Sequence, residues 1–458
     1  MHKTKKFIGG KYLGKGSYGC VITPPLSCGK TKKNTKHNNL KNKMKPSHSV
    51  SKIIIDPDED SMDELKISSL IKKFDPKQQY FITYENYCNL KELTNTRNNT
   101  EKVKYSNSSR KYYQSINNKG KLSQDKKTTI NTSGHSIKKC LVDLSLKPLN
   151  IIMPYGGYDL FDLKNKFNDT YTKYMEHINL NKKKGYKIDK FNLDNEYFHF
   201  IKTYEMFKLN FKYCFKNLAK GLYKLHKSRI VNRDIKTENI MANYNKDKKI
   251  IEVRFIDVGL AEHLTPQFCS NYYNIHFSGT EQVVPPEIFI LDTMTKYEYN
   301  TKYVKTNKIN YKSYSNNDIM YLKNMKNEFN DIIEKNVHYT LELLKEYEYV
   351  DNLYEIKNTE IYKLPIIEKI YNDIKKNYDN KTILNAYFGT KHVNSFDGYL
   401  QKADVYGLGC AMYEFITDNI EFINIEKELK LHNLLKKMVH PDPALRYNII
   451  QCLKHPYF

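Results

Sequence analysis

The sequence predicts an α+β fold in two parts, β-rich at the N-terminal end and helical over most of the rest. Two observations near the N-terminus and one beyond it carry this reading. Tyr12 to Thr23 places glycines ahead of the β-branched Val21 and Ile22, the pattern of a hairpin with a glycine-rich turn. Val50 to Ile55 is a short β-branched run that reads as a third strand. Later segments repeat apolar residues every three or four positions, the period of helices that bury one face.

Taken in order, residues 26 to 48 are basic with few apolar residues and read as a loop joining neighbouring strands. Asp60 to Phe74 reads as a helix, with Leu65, Ile67, Leu70 and Ile71 apolar. Residues 95 to 135 are rich in Asn, Ser, Thr and Lys without hydrophobic period, a surface insertion. Leu149 to Met153 resumes as a buried strand. The strongest helical pattern runs from about Tyr204 to Lys227, through Phe207, Phe211, Cys214, Phe215, Leu218, Leu222 and Leu225. From Ile288 to about Gly398 a long stretch carries its own helical pattern at Ile333, Val337, Leu341 and Leu344. Lys402 to Thr417 is helical again, and polar helices close the chain on His455-Pro456-Tyr457-Phe458.

Its 458 residues, 40 % of them apolar, suffice for sizeable cores. The 75 basic against 51 acidic residues leave a charge of +24, which favours phosphate-rich or acidic partners, nucleic acid among them. Much of that excess lies in Lys30 to Lys45 and Asn98 to Lys127, compositions that bury too little apolar surface to order themselves. The eight cysteines form no CxxC pair and no cluster with histidine, so they read as reduced thiols of an intracellular protein. No run approaches the roughly 18 apolar residues of a membrane span, and no apolar stretch follows Met1 to Lys6, which predicts a soluble protein without a membrane partner.

Gly14-Lys15-Gly16-Ser17-Tyr18-Gly19-Cys20-Val21 has the form G-x-G-x-x-G-x-V, in which small residues let backbone amides approach phosphate oxygens. A dinucleotide fold would need a helix next, whereas Val21-Ile22-Thr23-Pro24-Pro25 continues as strand and then breaks, so the glycines read as a flap between two strands. Lys52, on the following strand, is placed to reach the phosphates of a nucleotide beneath that flap. Glu64 is the natural carboxylate to pair with Lys52, with Asp63 and Glu59 as competitors.

The densest constellation is Ile230-Val231-Asn232-Arg233-Asp234-Ile235-Lys236-Thr237-Glu238-Asn239-Ile240-Met241, followed by Phe255-Ile256-Asp257-Val258-Gly259. In-line phosphoryl transfer needs a group to orient the attacking hydroxyl, a metal to neutralise phosphates, and a cation near the migrating phosphoryl. Asp234, Asp257 with Asn239, and Lys236 supply these respectively.

The order R-D-x-K-x-x-N, then D-x-G, after a glycine-rich loop resembles the eukaryotic-type protein kinase family. Gly279-Thr280 and Pro285-Pro286-Glu287 resemble its G-T and A-P-E segment, and Asp404-Val405-Tyr406-Gly407-Leu408-Gly409 resembles the opening of its large central helix. Arg446 matches the arginine that pairs with the equivalent of Glu287. The resemblance implies a β-rich small lobe over residues 8–153, a larger helical lobe over 154–458, ATP bound between them, and insertions near 26–48, 95–140 and 290–398. It places Met153-Pro154-Tyr155-Gly156 at the hinge, with Met153 as gatekeeper, and the adenine between Val21 and Val50 on one side and Met241 on the other. Asp159 either accepts from the ribose hydroxyls or caps a helix. Magnesium or manganese would be the metal, and a protein serine or threonine the acceptor, since Lys236 and Thr280 match that branch of the family.

Three positions depart from the family pattern: Asn232 for histidine, Val258 for phenylalanine, and Ser68 for a large apolar residue. A pseudokinase scaffold is therefore a competing reading, and nucleic-acid binding through the basic insertions is a third. Arg233 is a cation able to bind a phosphate on the segment between Asp257 and Glu287, where Ser270, Tyr272, Tyr273 and Ser278 are the candidate hydroxyls. The stretch after Glu287 falls where substrate docking begins in the family. Abundant Lys, Asn, Ile and Tyr with no Trp point to an AT-rich genome, and Pro24-Pro25-Leu26-Ser27-Cys28 is similar to kinases of large DNA viruses, which would place the protein in host cytoplasm or virion.

Overall fold

The computed structural model describes residues 11–16, 19–26, 28, 49–54, 57, 59–89, 148–183, 196–271, 274–292, 295, 335, 380–389, 396–417 and 425–458. Ser17, Tyr18, Tyr272, Tyr273, most of the three expected insertions and the pattern at Ile333 to Leu344 lie outside these residues. The chain divides into two compact units, one of residues 1–62 with 84–155 and one of residues 63–83 with 156–458.

The first unit is built on an antiparallel sheet of β1 (Lys11–Gly16), β2 (Gly19–Thr23), β3 (Ser49–Ile54), β4 (Asn86–Asn89) and β5 (Leu149–Pro154), in the order β1-β2-β3-β5-β4. Ile22, Val50, Ile53, Ile54, Leu149 and Ile151 are its buried apolar side chains, while Lys52 on β3 is half-buried. Lys52 lies opposite Val21 on one neighbour and Ile151 on the other.

The cysteines depart from the expectation of reduced thiols, because Cys28 and Cys88 form a disulfide. Asn150, fully buried on β5, explains how the two meet: its amide donates to the Leu26 carbonyl at 3.2 Å and lies 3.7 and 3.8 Å from the sulfurs of Cys28 and Cys88. The Leu26 N–H in turn donates to Ser51 Oγ at 2.8 Å, so the residues after β2 are held against β3. Cysteines 60 positions apart leave no CxxC signal in the sequence. Cys214, Cys269, Cys410 and Cys452 are buried and form no disulfide.

The second unit is largely helical. Most of α1 (Glu59–Phe74) belongs to it, one residue longer at its start than the sequence predicts. After the helix, buried Asp75 accepts from the N–H groups of Gln79, Tyr80 and Phe81 at 2.8, 2.8 and 3.0 Å, which turns the chain towards Phe81. Phe81 stacks on Phe255, ring centroids 5.3 Å apart. The sheet of β6 (Tyr158–Asp159), β8 (Ile240–Asn245) and β9 (Ile250–Phe255) lies next to helices α2 (Leu160–Asn165), α4 (Glu196–Leu209) and α5 (Phe211–Lys227), with α3 (Phe167–Lys183) packed on α2 and α4.

The single helix expected from Tyr204 to Lys227 is two, broken at Asn210. At the break the Asn210 backbone leaves helical angles (φ −108°, ψ 21°), while its side-chain amide and its N–H both donate to the Met206 carbonyl, at 2.8 and 3.1 Å. Past the break, α5 buries Cys214, Phe215, Leu218, Ala219, Leu222 and Leu225 on one face, each large side chain contributing roughly 1.5–3 kcal/mol. The short β7 (Ile230–Val231) follows it and pairs with β10 (Glu262–His263). Beyond β10 come α6 (Pro266–Cys269), the helical residues 286–292, α7 (Asn380–Phe388), α8 (Tyr399–Thr417), α9 (Ile425–Met438) and α10 (Ile449–Leu453). Helix α8 contributes Val405, Tyr406, Leu408, Ala411 and Met412 to this core, all with no exposed surface. Among the described residues no helix is long and apolar enough to cross a membrane.

Candidate active site

The loop from Asn232 to Asn239 leaves β7 and enters β8, and a residue of α8 fixes its start. Asp404, 2 % exposed, accepts from the Asn232 N–H and the Arg233 N–H, both at 2.8 Å, and from His226 Nε2 at 2.9 Å. A carboxylate only accepts, so His226 carries its proton on Nε2. Arg233 sits in the left-handed region at φ 67°, a conformation that costs a non-glycine residue and persists only where its surroundings over-determine it.

Asn232, in the place of the expected histidine, closes a small turn: its Oδ1 accepts the Asp234 N–H at 3.1 Å. The Asp234 carboxylate is then held from both sides. Oδ1 accepts from the Thr280 N–H at 3.0 Å and the Thr280 hydroxyl at 2.7 Å, while Oδ2 accepts from Asn239 Nδ2 at 2.9 Å and lies 3.1 Å from Lys236 Nζ. Lys236 also donates to the Thr280 hydroxyl at 2.6 Å. Thr280 arrives through Gly279, whose φ of 117° and whose missing Cβ, which would stand 2.2 Å from the Arg233 carbonyl, require glycine.

Asn239 donates a second bond to the Asp234 carbonyl at 2.9 Å, which leaves its side-chain oxygen as an acceptor. Its own carbonyl accepts the Ile256 N–H at 3.0 Å and so joins the loop to the strand leading to Asp257. Asp257 is exposed and left-handed at φ 55°, with the Gly259 N–H 3.4 Å from its Oδ1. Glu64, buried on α1, stands beside this turn, its Oε2 3.8 Å from where a Gly259 Cβ would lie. Val258 is buried and packs in the main core, and Ser68 is buried on α1. Two oxygen donors, one anionic, suit a hard cation that takes its remaining ligands from water and phosphates. Among the described residues no group of three His, Cys, Asp or Glu side chains is placed to hold a metal by itself.

In the first unit, Gly14, Lys15 and Gly16 end β1 opposite Val21, Cys20 and Gly19 of β2. Val50 is buried, and Val21, Met153, Pro154 and Tyr155 are half-buried. In the second unit Gly156 is tight: a Cβ there would lie 2.7 Å from Ile82 and 2.9 Å from Met241. Met241 on β8 is in register with Asp159 of β6. Of the two roles open to Asp159, the capping one is present, since it accepts the Asp162 N–H at 2.7 Å as N-cap of α2. Burial pushes its carboxyl up to about 6.

Sequence reasoning did not see the roles of Asp404, Glu262, His276, Asp292 or Tyr387. Arg233 Nε donates to the Leu260 carbonyl at 2.6 Å, Nη1 lies 3.0 Å from His276 Nε2, and Nη2 lies 3.5 Å from Glu262. Far down the chain, buried Arg446 and Glu287 form a two-point ion pair, with Arg446 also 5.1 Å over the Tyr406 ring.

The family model for the protein kinase domain matches residues 172–458, more than half of the chain. A similar curated protein is the "Probable serine/threonine-protein kinase fnkE" of Dictyostelium discoideum, 37 % identical over 71 residues, which are 16 % of this chain and 5 % of that protein. The chain thus spans about a twentieth of the length of the curated relative it matches. With the loop from Asn232 to Asn239, the Asp257 turn and the Glu287–Arg446 pair all inside the matched region, the chain belongs to the protein kinase domain family.

Proposed function

We propose that the protein transfers the γ-phosphoryl group of ATP to serine or threonine hydroxyls of protein substrates, with Asp234 as the catalytic carboxylate. The observation that carries this reading is the clamp on Asp234, whose two oxygens are oriented by Thr280, Asn239 and Lys236. A carboxylate so fixed can accept the proton of an incoming hydroxyl and aim its oxygen along the line of attack. Lys236 contributes a positive charge where negative charge gathers in transfer. Magnesium or manganese held by Asp257 and Asn239 would supply neutralisation of the phosphate oxygens. Lys52 serves the nucleotide phosphates, and the glycine-rich stretch from Gly14 to Gly19 covers them.

Against the scaffold reading stand the bond from the Asp234 N–H to Asn232 and the burial of Val258 and Ser68. Transfer from labelled ATP with Mg²⁺ or Mn²⁺ to basic and acidic protein substrates is the test. Wild type is expected to transfer, Asp234→Ala and Asp257→Ala to lose transfer, and Lys52→Met to lose most of it. Transfer at the wild-type rate by Asp234→Ala would sink the assignment, and ATP binding without turnover by wild type would favour the scaffold.

A further inference from the structure

Arg233 was expected to be open to a phosphate on the segment between Asp257 and Glu287, and it is not. Its side chain is 10 % exposed and all three guanidinium nitrogens are engaged, by the Leu260 carbonyl, His276 and Glu262. A guanidinium only donates, so His276 Nε2 accepts from it and the neutral ring places its proton on Nδ1, 3.0 Å from the Asn274 carbonyl. The carboxylate of Glu262, 27 % exposed, occupies the outer side, where an incoming phosphate would have to displace it.

The same short stretch is tied twice more, from beyond Glu287. The Tyr387 hydroxyl on α7 donates to the His276 carbonyl at 2.8 Å, and the Phe277 N–H donates to Asp292 at 2.9 Å. Apolar packing surrounds these bonds: Phe277 stacks on Phe289 with centroids 4.4 Å apart, and Phe268 meets Phe388 of α7 edge-on at 5.6 Å. Tyr387 itself is 1 % exposed, so its hydroxyl has no water to fall back on.

We propose that Glu262 and Tyr387 are positioning residues which hold the 257–287 segment in its working arrangement without phosphorylation, Glu262 through Arg233 and Tyr387 through the backbone of His276. This rests on the phosphotransferase reading above. Thr280, which orients Asp234, follows His276 by four residues, so loosening this anchor is felt at the catalytic carboxylate.

The test uses the full chain treated with phosphatase, with absence of phosphate in 257–287 checked by mass spectrometry. Dephosphorylated wild type is expected to keep its kcat. Glu262→Gln and Tyr387→Phe, which preserve shape, are expected to lower kcat about tenfold with KM for ATP unchanged, Tyr387→Phe also melting a few degrees lower because its buried bond is lost. Loss of wild-type activity on dephosphorylation with recovery on rephosphorylation overturns the inference while keeping the kinase reading, as do variants equal to wild type. No transfer by either form of wild type overturns the kinase reading and the inference with it.

Discussion

Asn232 closes a local turn, its side-chain oxygen accepting the N–H of Asp234 two residues on. Asn232→Ala deletes that one bond, of roughly 1 kcal/mol, and is expected to lower kcat about fivefold at unchanged ATP affinity in a labelled-ATP assay. Gly279→Ala is a harsher change, forcing a side chain into φ 117° and against the Arg233 carbonyl. A melting curve should show a loss of at least about 2 kcal/mol. Asp159 makes a pH prediction. Its carboxyl is raised from the ordinary 3.8 to about 6 by burial, so within that window the folded protein holds a proton that the unfolded chain has released. Stability contributed by this group therefore falls as pH rises from about 4 to about 6 and is level above. Asp159→Asn keeps the cap and removes the titration, so the wild-type advantage over the variant in urea midpoints should shrink across that window.

At the scale of elements, the strands and helices with the clearest apolar pattern follow it closely. Strand β3 and helix α1 begin and end within one residue of their expected bounds, because alternation and the three- and four-residue period are written in neighbouring side chains. The break at Asn210 escaped that reading, since the apolar period passes through it and only the backbone angles of Asn210 mark it. The disulfide escaped as well. Joining cysteines 60 residues apart restricts the unfolded chain, worth about 4 kcal/mol on the chain-entropy account. Cys88→Ser is expected to lower the urea midpoint of the first unit, and non-reducing peptide mapping of wild type should join the Cys28 and Cys88 peptides.

Across the whole molecule, bonds between distant stretches hold the candidate site. Glu287 and Arg446, 159 residues apart, are both fully buried at their side chains. Arg446→Leu leaves the Glu287 carboxylate without its partner, and a loss of about 3–5 kcal/mol in unfolding free energy is expected by denaturant titration. Asp404 acts over a similar span, fixing the start of the 232–239 loop from α8.

Short-range order was the sequence's own contribution: strands β1, β2, β3 and β5, helices α1, α5 and α8, the family resemblance, and the spacing that gathers Asp234, Lys236 and Asn239 within one loop. Those residues are near one another because few bonds separate them. The tertiary structure alone decided which side chains complete the arrangement, placing Asp404 under the loop, Thr280 on Asp234, Glu262 and His276 on Arg233, and Tyr387 on the His276 backbone. Such pairings join stretches tens to hundreds of residues apart, where no periodicity links the partners, and only the packing of a common core brings them within hydrogen-bond reach.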